Sequence, residues 1–344
     1  MRVGLIAPPW VPVPPPGYGG TEEVVDQLAR GLQSDGHEVV LFTTGDATCP
    51  VPRKSVFATA PDDMNFSMPE CRHVQAAYTE LTDCDVIHDH TTLGPIWARA
   101  HGTTTPLVVT VHNPFTEVSR PVYRQIASYA SIVAISRSHR ESAPDVRVSA
   151  VIPHGIDAEH YHPGTGSGGF ALFLGRFAPE KGAAAAIRVA RLAGMPLVIA
   201  AKMRTREEQD YFDAEIKPQL GVDVTFVGEV DKGQRDSLLR DAVALINPIT
   251  WREPFGLVMI EALAHGTPVI AYPNGAAPEI VDHGVTGFLA DTEQAAALAL
   301  RAAPSIDRAR CRAAVEGYFS ASRMVADYER LYGQVVFRQA RRTG

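Results

Sequence analysis

The stretch FALFLGRFAPEKGAAAAIRVARLAG, residues 170–194, decides the fold. Its apolar opening, 170–174, has the length and content of a buried strand. It runs into Gly175, passes Arg176 and Lys181, and gives way to an alanine-rich helix over 183–193. Strand, glycine turn and helix make one repeat of an α/β fold, and the repeat recurs on both sides. Downstream, short apolar runs at 197–200, 224–227, 244–246, 269–271 and 287–289 alternate with helical stretches at 233–241 and 256–265. Upstream, a strand at 2–7 precedes a helix at 21–35, where Val24, Val25, Leu28, Ala29 and Leu32 recur at helical spacing and Gly36 is the stop. Further strands are predicted at 38–43, 86–88, 107–111, 132–135 and 148–152. Such alternation predicts parallel sheets with helices on both faces.

A chain of 344 residues exceeds what one hydrophobic core usually supports. The fold class expected is therefore α/β, with two doubly wound, Rossmann-like domains facing across a cleft. An N-terminal domain is expected over 1–157, a hinge over 158–169 where glycines gather, a C-terminal domain over 170–319, and a C-terminal helix over 320–344. Met324, Val325, Tyr328, Leu331 and Tyr332 give that helix one apolar face, and it is expected to cross back to the N-terminal domain.

A net charge of −7 offers no general attraction to polyphosphate backbones, which argues against nucleic acid as a partner. No apolar run approaches the roughly 20 residues of a membrane span. The first apolar stretch runs into prolines instead of a cleavage site, so no leader is expected. Cys49, Cys71, Cys84 and Cys311 have no metal or redox spacing and read as free thiols of a cytoplasmic protein.

Chemistry concentrates in EPFGLVMIE, residues 253–261. Two glutamates flank a loop-to-helix junction, the second expected about two turns into the helix. The free amides of the first helical turn and the helix dipole make an anion site there, suited to a diphosphate. Glu253 is placed to accept bonds from sugar hydroxyls and Glu261 from a ribose. Alone, such a pair is more often an ordinary helix-end feature. Arg176 and Lys181, at the mouth of the same sheet, change that balance, because a planar guanidinium and a point-charge ammonium together can hold a diphosphate.

These two segments resemble the donor site of the family 4 retaining glycosyltransferases, which have the GT-B fold. The resemblance spans nearly the whole chain. Further marks are Gly19-Gly20-Thr21, the DVIHDH run at 85–90, Ala134-Ile135-Ser136, IPHGID at 152–157, Phe226-Val227-Gly228, PEIV at 278–281 and GVTG at 284–287. It implies that Arg176 and Lys181 bind the diphosphate and Glu261 the ribose. Glu253 with the amides of Phe255, Gly256 and Leu257 would take donor sugar and phosphate. Gly19 and Gly20 would bring backbone close to the phosphate, and His112 would approach the donor sugar, so that His112, Arg176, Lys181 and Glu253 form the catalytic set.

The resemblance further implies a nucleoside-diphosphate sugar donor, with uridine the expected base, and a small-molecule or oligosaccharide acceptor. It implies retention of configuration; because Arg176, Lys181 and the helix N-terminus supply positive charge at the diphosphate and no acidic pair has the context of a metal site, no essential metal and no cofactor are expected. The proline- and glycine-rich start resembles actinobacterial members that decorate avilamycin-type oligosaccharide antibiotics. A same-fold phosphorylase, a sugar-nucleotide epimerase or a non-catalytic nucleotide-sugar binding protein remain alternatives. Ala276 departs from the family, which often has a glycine there.

His88-Asp89-His90 and His160-Tyr161-His162 are read as structural, with no third metal ligand in reach. The turn Gly17-Tyr18-Gly19-Gly20 lacks dinucleotide-binding spacing. Arg120, Arg124, Arg137, Arg140 and Arg147 read as a solvated face, with peripheral membrane contact left open.

Overall fold

The computed structural model describes residues 1–17, 19–62 and 67–343; Tyr18 of the glycine-rich turn lies outside them. The chain divides into two compact units, Met1–Gly155 with Ala321–Gly344, and Ile156–Ser320.

In the first unit the described residues form seven parallel strands: β1 Arg2–Ile6, β2 Glu38–Phe42, β3 Arg53–Lys54, β4 Val86–Asp89, β5 Leu107–Thr110, β6 Ser131–Ala134 and β7 Val148–Val151. Their order is β3-β2-β1-β4-β5-β6-β7. The inner strands are apolar at almost every position because helices cover both faces, and Val3, Leu5, Ile6, Ile87 and Val109 are fully buried. The order reverses between β1 and β4, where Ile6 pairs with Asp89. Chain leaving these two strands carries Gly19 and His90 respectively, so both come from strands that flank the switch point, the usual ligand position in such sheets.

The helix Ala321–Thr343 belongs to this first unit. Its apolar face, Met324, Val325, Tyr328 and Tyr332, is buried. The tyrosine hydroxyls do not go unpaired: Tyr332 bonds Nδ1 of His88 at 2.7 Å and Tyr328 bonds Oγ1 of Thr110 at 2.8 Å.

The second unit has six parallel strands among the described residues: β8 Ala171–Arg176, β9 Leu197–Lys202, β10 Val224–Phe226, β11 Ala244–Asn247, β12 Val269–Ala271 and β13 Gly287–Leu289. They run β10-β9-β8-β11-β12-β13, again reversing beside the first strand of the unit. Phe177, Phe212 and Phe226 close one side of the sheet with ring centroids 5.0–5.2 Å apart. Each such ring contributes about 2–3 kcal/mol on burial.

The segment expected as a hinge, 158–169, is laid down on the second unit. The amides of Gly164, Gly166 and Gly168 donate to the carbonyls of His265, Arg240 and Asp241 at 2.9–3.0 Å. Arg308 reaches the Gly164 and Ala242 carbonyls at 2.8 and 3.2 Å. A backbone whose amides are satisfied this way is fixed, glycines notwithstanding. The chain passes between units at 155/156 and 320/321, and Ile156 bridges Ser320 within the second unit.

Candidate functional site

In the second unit the turn Pro179–Lys181 follows β8 and leads into the helix Ala183–Ala193. Gly182 joins them at φ +81°, and a Cβ there would lie 2.3 Å from the carbonyl oxygen of Pro248. Only glycine fits, and its absence of a side chain lets the loops after β8 and β11 touch. The amide of Thr250 donates to Glu180 across the same contact at 3.0 Å.

Lys181 is thereby fixed with its ammonium 2.7 Å from Oε2 of Glu253. The two side chains are only 12% and 17% exposed. The ammonium also stands 5.1 Å from the centre of the Trp251 ring, a cation–π arrangement. Glu253 is held from behind by the amide of Ala276, which donates to its carbonyl at 3.0 Å, and Asn274 ties down the loop before it, its Nδ2 donating to the Ile249 carbonyl at 2.8 Å. The departure at Ala276 is harmless, since it sits at φ −83°. Gly275 carries the glycine requirement, at φ +60° with a would-be Cβ 2.3 Å from the Glu253 carbonyl.

The helix beyond is Leu257–Ala264, preceded by Gly256 and without a side-chain cap. Its first turn presents backbone amides and the positive end of the dipole. Because the helix starts at Leu257, Glu261 is four residues, a little over one turn, into it instead of two. Glu261 is nearly buried and its Oε1 lies 2.9 Å from Nη1 of Arg235, on the helix Lys232–Asp241.

Arg176 ends β8 and donates from Nη1 to Oε1 of Glu208 at 2.7 Å. Glu208 is 4% exposed and also accepts from the amide of Arg204 at 2.7 Å. Both expected diphosphate cations therefore meet a carboxylate. Lys202 ends β9 as the register partner of Arg176. Burial pushes its ammonium down to about 8, helped by Arg204 and Arg176 against Glu229 and Glu208. Glu208, Arg235 and Lys202 escaped the sequence reading. Only Lys202 carried a signal, as a lysine closing an apolar strand.

In the first unit Gly19 precedes the helix Gly20–Ser34. His112 follows β5, and its Nε2 lies 2.9 Å from Nδ1 of His90. A third histidine thus bonds to the pair at 88 and 90, yet among the described residues no group of three or more His, Cys, Asp or Glu side chains is placed to hold a metal ion. The rings of His88, His90, His112 and His154 form a column with successive centroids 4.0, 5.2 and 5.2 Å apart. Burial lowers His112 to about 3 and holds His88, His90 and His154 well below the ordinary histidine range. All four are neutral at pH 7. Asp89 of the same run has a structural task, accepting from the Tyr78 hydroxyl at 2.6 Å and the Thr91 amide at 2.7 Å. In the basic cluster, Arg120 and Arg124 share Asp145, at 2.5 and 3.5 Å.

The family model for Glycosyltransferase Family 4 matches residues 18–160, and that for Glycosyl transferases group 1 matches residues 164–308. The chain belongs to the family 4, group 1 glycosyltransferases. The phosphatidyl-myo-inositol mannosyltransferase of Mycobacterium tuberculosis is 28% identical, over 87% of this chain and 86% of its own length. AviGT4, a glycosyltransferase involved in avilamycin A biosynthesis, is 26% identical with a TM-score of 0.76 over 98% of both chains. HepE of Anabaena, solved with UDP and glucose, has a TM-score of 0.77 over 97% of this chain and 100% of its own. At 20% identity that likeness bears on the fold alone. The two parallel-sheet α/β units are those of a GT-B glycosyltransferase. No helix among the described residues is long and apolar enough to cross a membrane.

Proposed function

We propose that this glycosyltransferase moves a sugar from a uridine-diphosphate donor to an acceptor hydroxyl, with retention of configuration and without a divalent metal. The observation that carries the proposal is the Lys181–Glu253 pair, 2.7 Å long, beside the helix that starts at Leu257 without a side-chain cap. Glycosyl transfer puts negative charge on the leaving diphosphate, and a fixed ammonium with helix-terminal amides is preorganised to receive it. An arriving diphosphate competes with Glu253 for Lys181. Glu253, released, accepts bonds from sugar hydroxyls, Arg176 takes a second phosphate oxygen, and Glu261, oriented by Arg235, accepts from the ribose. The positive charge required of a metal is supplied by these groups.

His112, neutral and weakly basic, serves as a hydrogen-bonding partner of the sugar and not as a general base. The acceptor's proton then passes to an oxygen of the departing phosphate on the same face, which keeps the anomeric configuration. Similarity to AviGT4, a glycosyltransferase involved in avilamycin A biosynthesis, supports a role in antibiotic biosynthesis.

The test is a thermal-shift series with uridine, guanosine, thymidine and adenosine diphosphates in chelator. A ligand at 100 times its Kd adds about 2.7 kcal/mol, roughly 5–10 °C for a unit of this size. UDP is expected to shift the wild type and to lose most of that shift in Lys181→Ala. No shift with any nucleotide would refute the proposal, and an inverted product anomer in NMR would refute retention.

A further inference from the structure

His90 follows β4 and His112 follows β5, neighbouring strands of the first unit, and their 2.9 Å bond joins Nδ1 of His90 to Nε2 of His112. Both rings are neutral, so each carries one N–H and one lone pair, and the shared bond holds a single proton. Which ring owns that proton is decided at the far nitrogen of His90. His90 is 4% exposed, and its Nε2 is shut off from solvent with no hydrogen-bond partner. Were the shared proton on His112, His90 would keep its own on Nε2, as a buried N–H with nothing to accept it. With the proton on Nδ1 of His90, Nε2 holds only a lone pair, and an unused buried acceptor is the less costly of the two. The ionisable groups acting on His90 are the rings of His88, His112 and His154, all neutral, so no charge among them reverses the choice. His88, by contrast, meets a hydroxyl at each nitrogen, Tyr332 and Thr110, and a hydroxyl serves either tautomer.

We infer that His90 is a positioning residue that fixes His112 in the tautomer with its proton on Nδ1, so that His112 meets the donor sugar as an N–H donor. Nδ1 is the nitrogen that the bond to His90 leaves over. On this partly exposed ring it has no partner among the described residues. A sugar hydroxyl that faces it must accept, which leaves the hydroxyl's own proton for another group. The tautomer follows from the first unit alone, whereas its use on a sugar rests on the donor reading above.

Long-range proton–nitrogen NMR correlation, on protein isotopically labelled at the histidine nitrogens, separates protonated from bare ring nitrogens. Identified by its absence from His112→Gln, the His112 ring of ligand-free wild type is expected to carry its proton on Nδ1 and none on Nε2. In His90→Phe the donor to Nε2 is gone and that nitrogen is expected to take up the proton. His90→Asn, whose amide nitrogen branches where Nδ1 did, is expected to restore the wild-type pattern. With UDP-glucose, UDP-galactose and UDP-N-acetylglucosamine as probes, UDP release should fall about tenfold in His90→Phe and recover in His90→Asn, while UDP alone binds all three proteins alike. A wild-type His112 protonated on Nε2 overturns the inference and requires no variant to fold; so does a His90→Phe protein whose proton stays wholly on Nδ1. A shifted tautomer with unchanged UDP release overturns its use on the sugar. If wild type releases UDP from none of the probes, the donor reading falls while the tautomer, read without ligand, stands.

Discussion

Replacing Glu253 with Gln keeps the shape of the side chain and removes its charge, so Lys181 loses its counter-ion while the loop stays in place. At the observed 2.7 Å and an effective dielectric near 20, the gross attraction is about 6 kcal/mol. After competition with solvent, a charged hydrogen bond of this kind is worth about 1.5–3 kcal/mol net. The ligand-free protein must give up that interaction when a diphosphate claims Lys181. Its removal lowers the melting temperature of Glu253→Gln, by about 2–4 °C per kcal/mol lost. The same substitution releases Lys181 in advance and removes a negative charge from the phosphate site. UDP should therefore bind Glu253→Gln more tightly, by about tenfold at the lower end of the range. Turnover should fall, because the sugar loses a strong acceptor. Calorimetric titration with UDP, set beside Lys181→Ala, separates the effects: Lys181→Ala weakens UDP and Glu253→Gln tightens it. If both weaken UDP alike, Glu253 is not a competitor for Lys181 and the displacement argument is wrong.

Gly182→Ala forces a left-handed φ on alanine and drives its Cβ into the Pro248 carbonyl, so stability should drop by at least about 2 kcal/mol, as urea denaturation would show. His73, His88, His90, His112, His139 and His154 all have folded pKa values lowered by burial, against about 6.5 unfolded. Their neutral forms stabilise the first unit fully above about 6.5. That stability is lost as pH falls toward 4, each group costing up to about 1.4 kcal/mol per pH unit, so melting curves between pH 7.5 and 5 should steepen downward; a flat profile would contradict the burial of the column. Glu261→Ala should abolish a preference, about tenfold in wild type, for UDP over its 2′,3′-dideoxy analogue in competition binding; an equal preference in both proteins would take the ribose away from Glu261.

Both sheets were legible because their strands are buried on both faces and read as uninterrupted apolar runs, as at Leu107–Thr110 and Val269–Ala271. The helix Ser67–Glu80 was not, since Glu70 and His73 are buried on its inner side and break the apolar stripe that marks a helix. Arg53–Lys54 makes a two-residue edge strand from charged residues, which no alternation can announce. At the site, Lys181 and Glu253 could be picked out because each lies in a loop shaped by glycine and proline. Their bond to one another could not, for it depends on two loops brought together by Gly182 some 70 residues before Glu253. Glu208 and Arg235 looked like ordinary charges of surface helices, and only the fold turns them toward Arg176 and Glu261.

The return of the helix Ala321–Thr343 to the first unit bears on how the protein is made. A ribosome releases residues 156–320, a unit with its own sheet and core, before it releases the tyrosines that bond His88 and Thr110. The unit begun first is therefore finished last. Until Tyr328 and Tyr332 emerge, the nascent chain carries an unsealed apolar face on one unit beside a folded neighbour, and that interval is when a chaperone has a surface to hold.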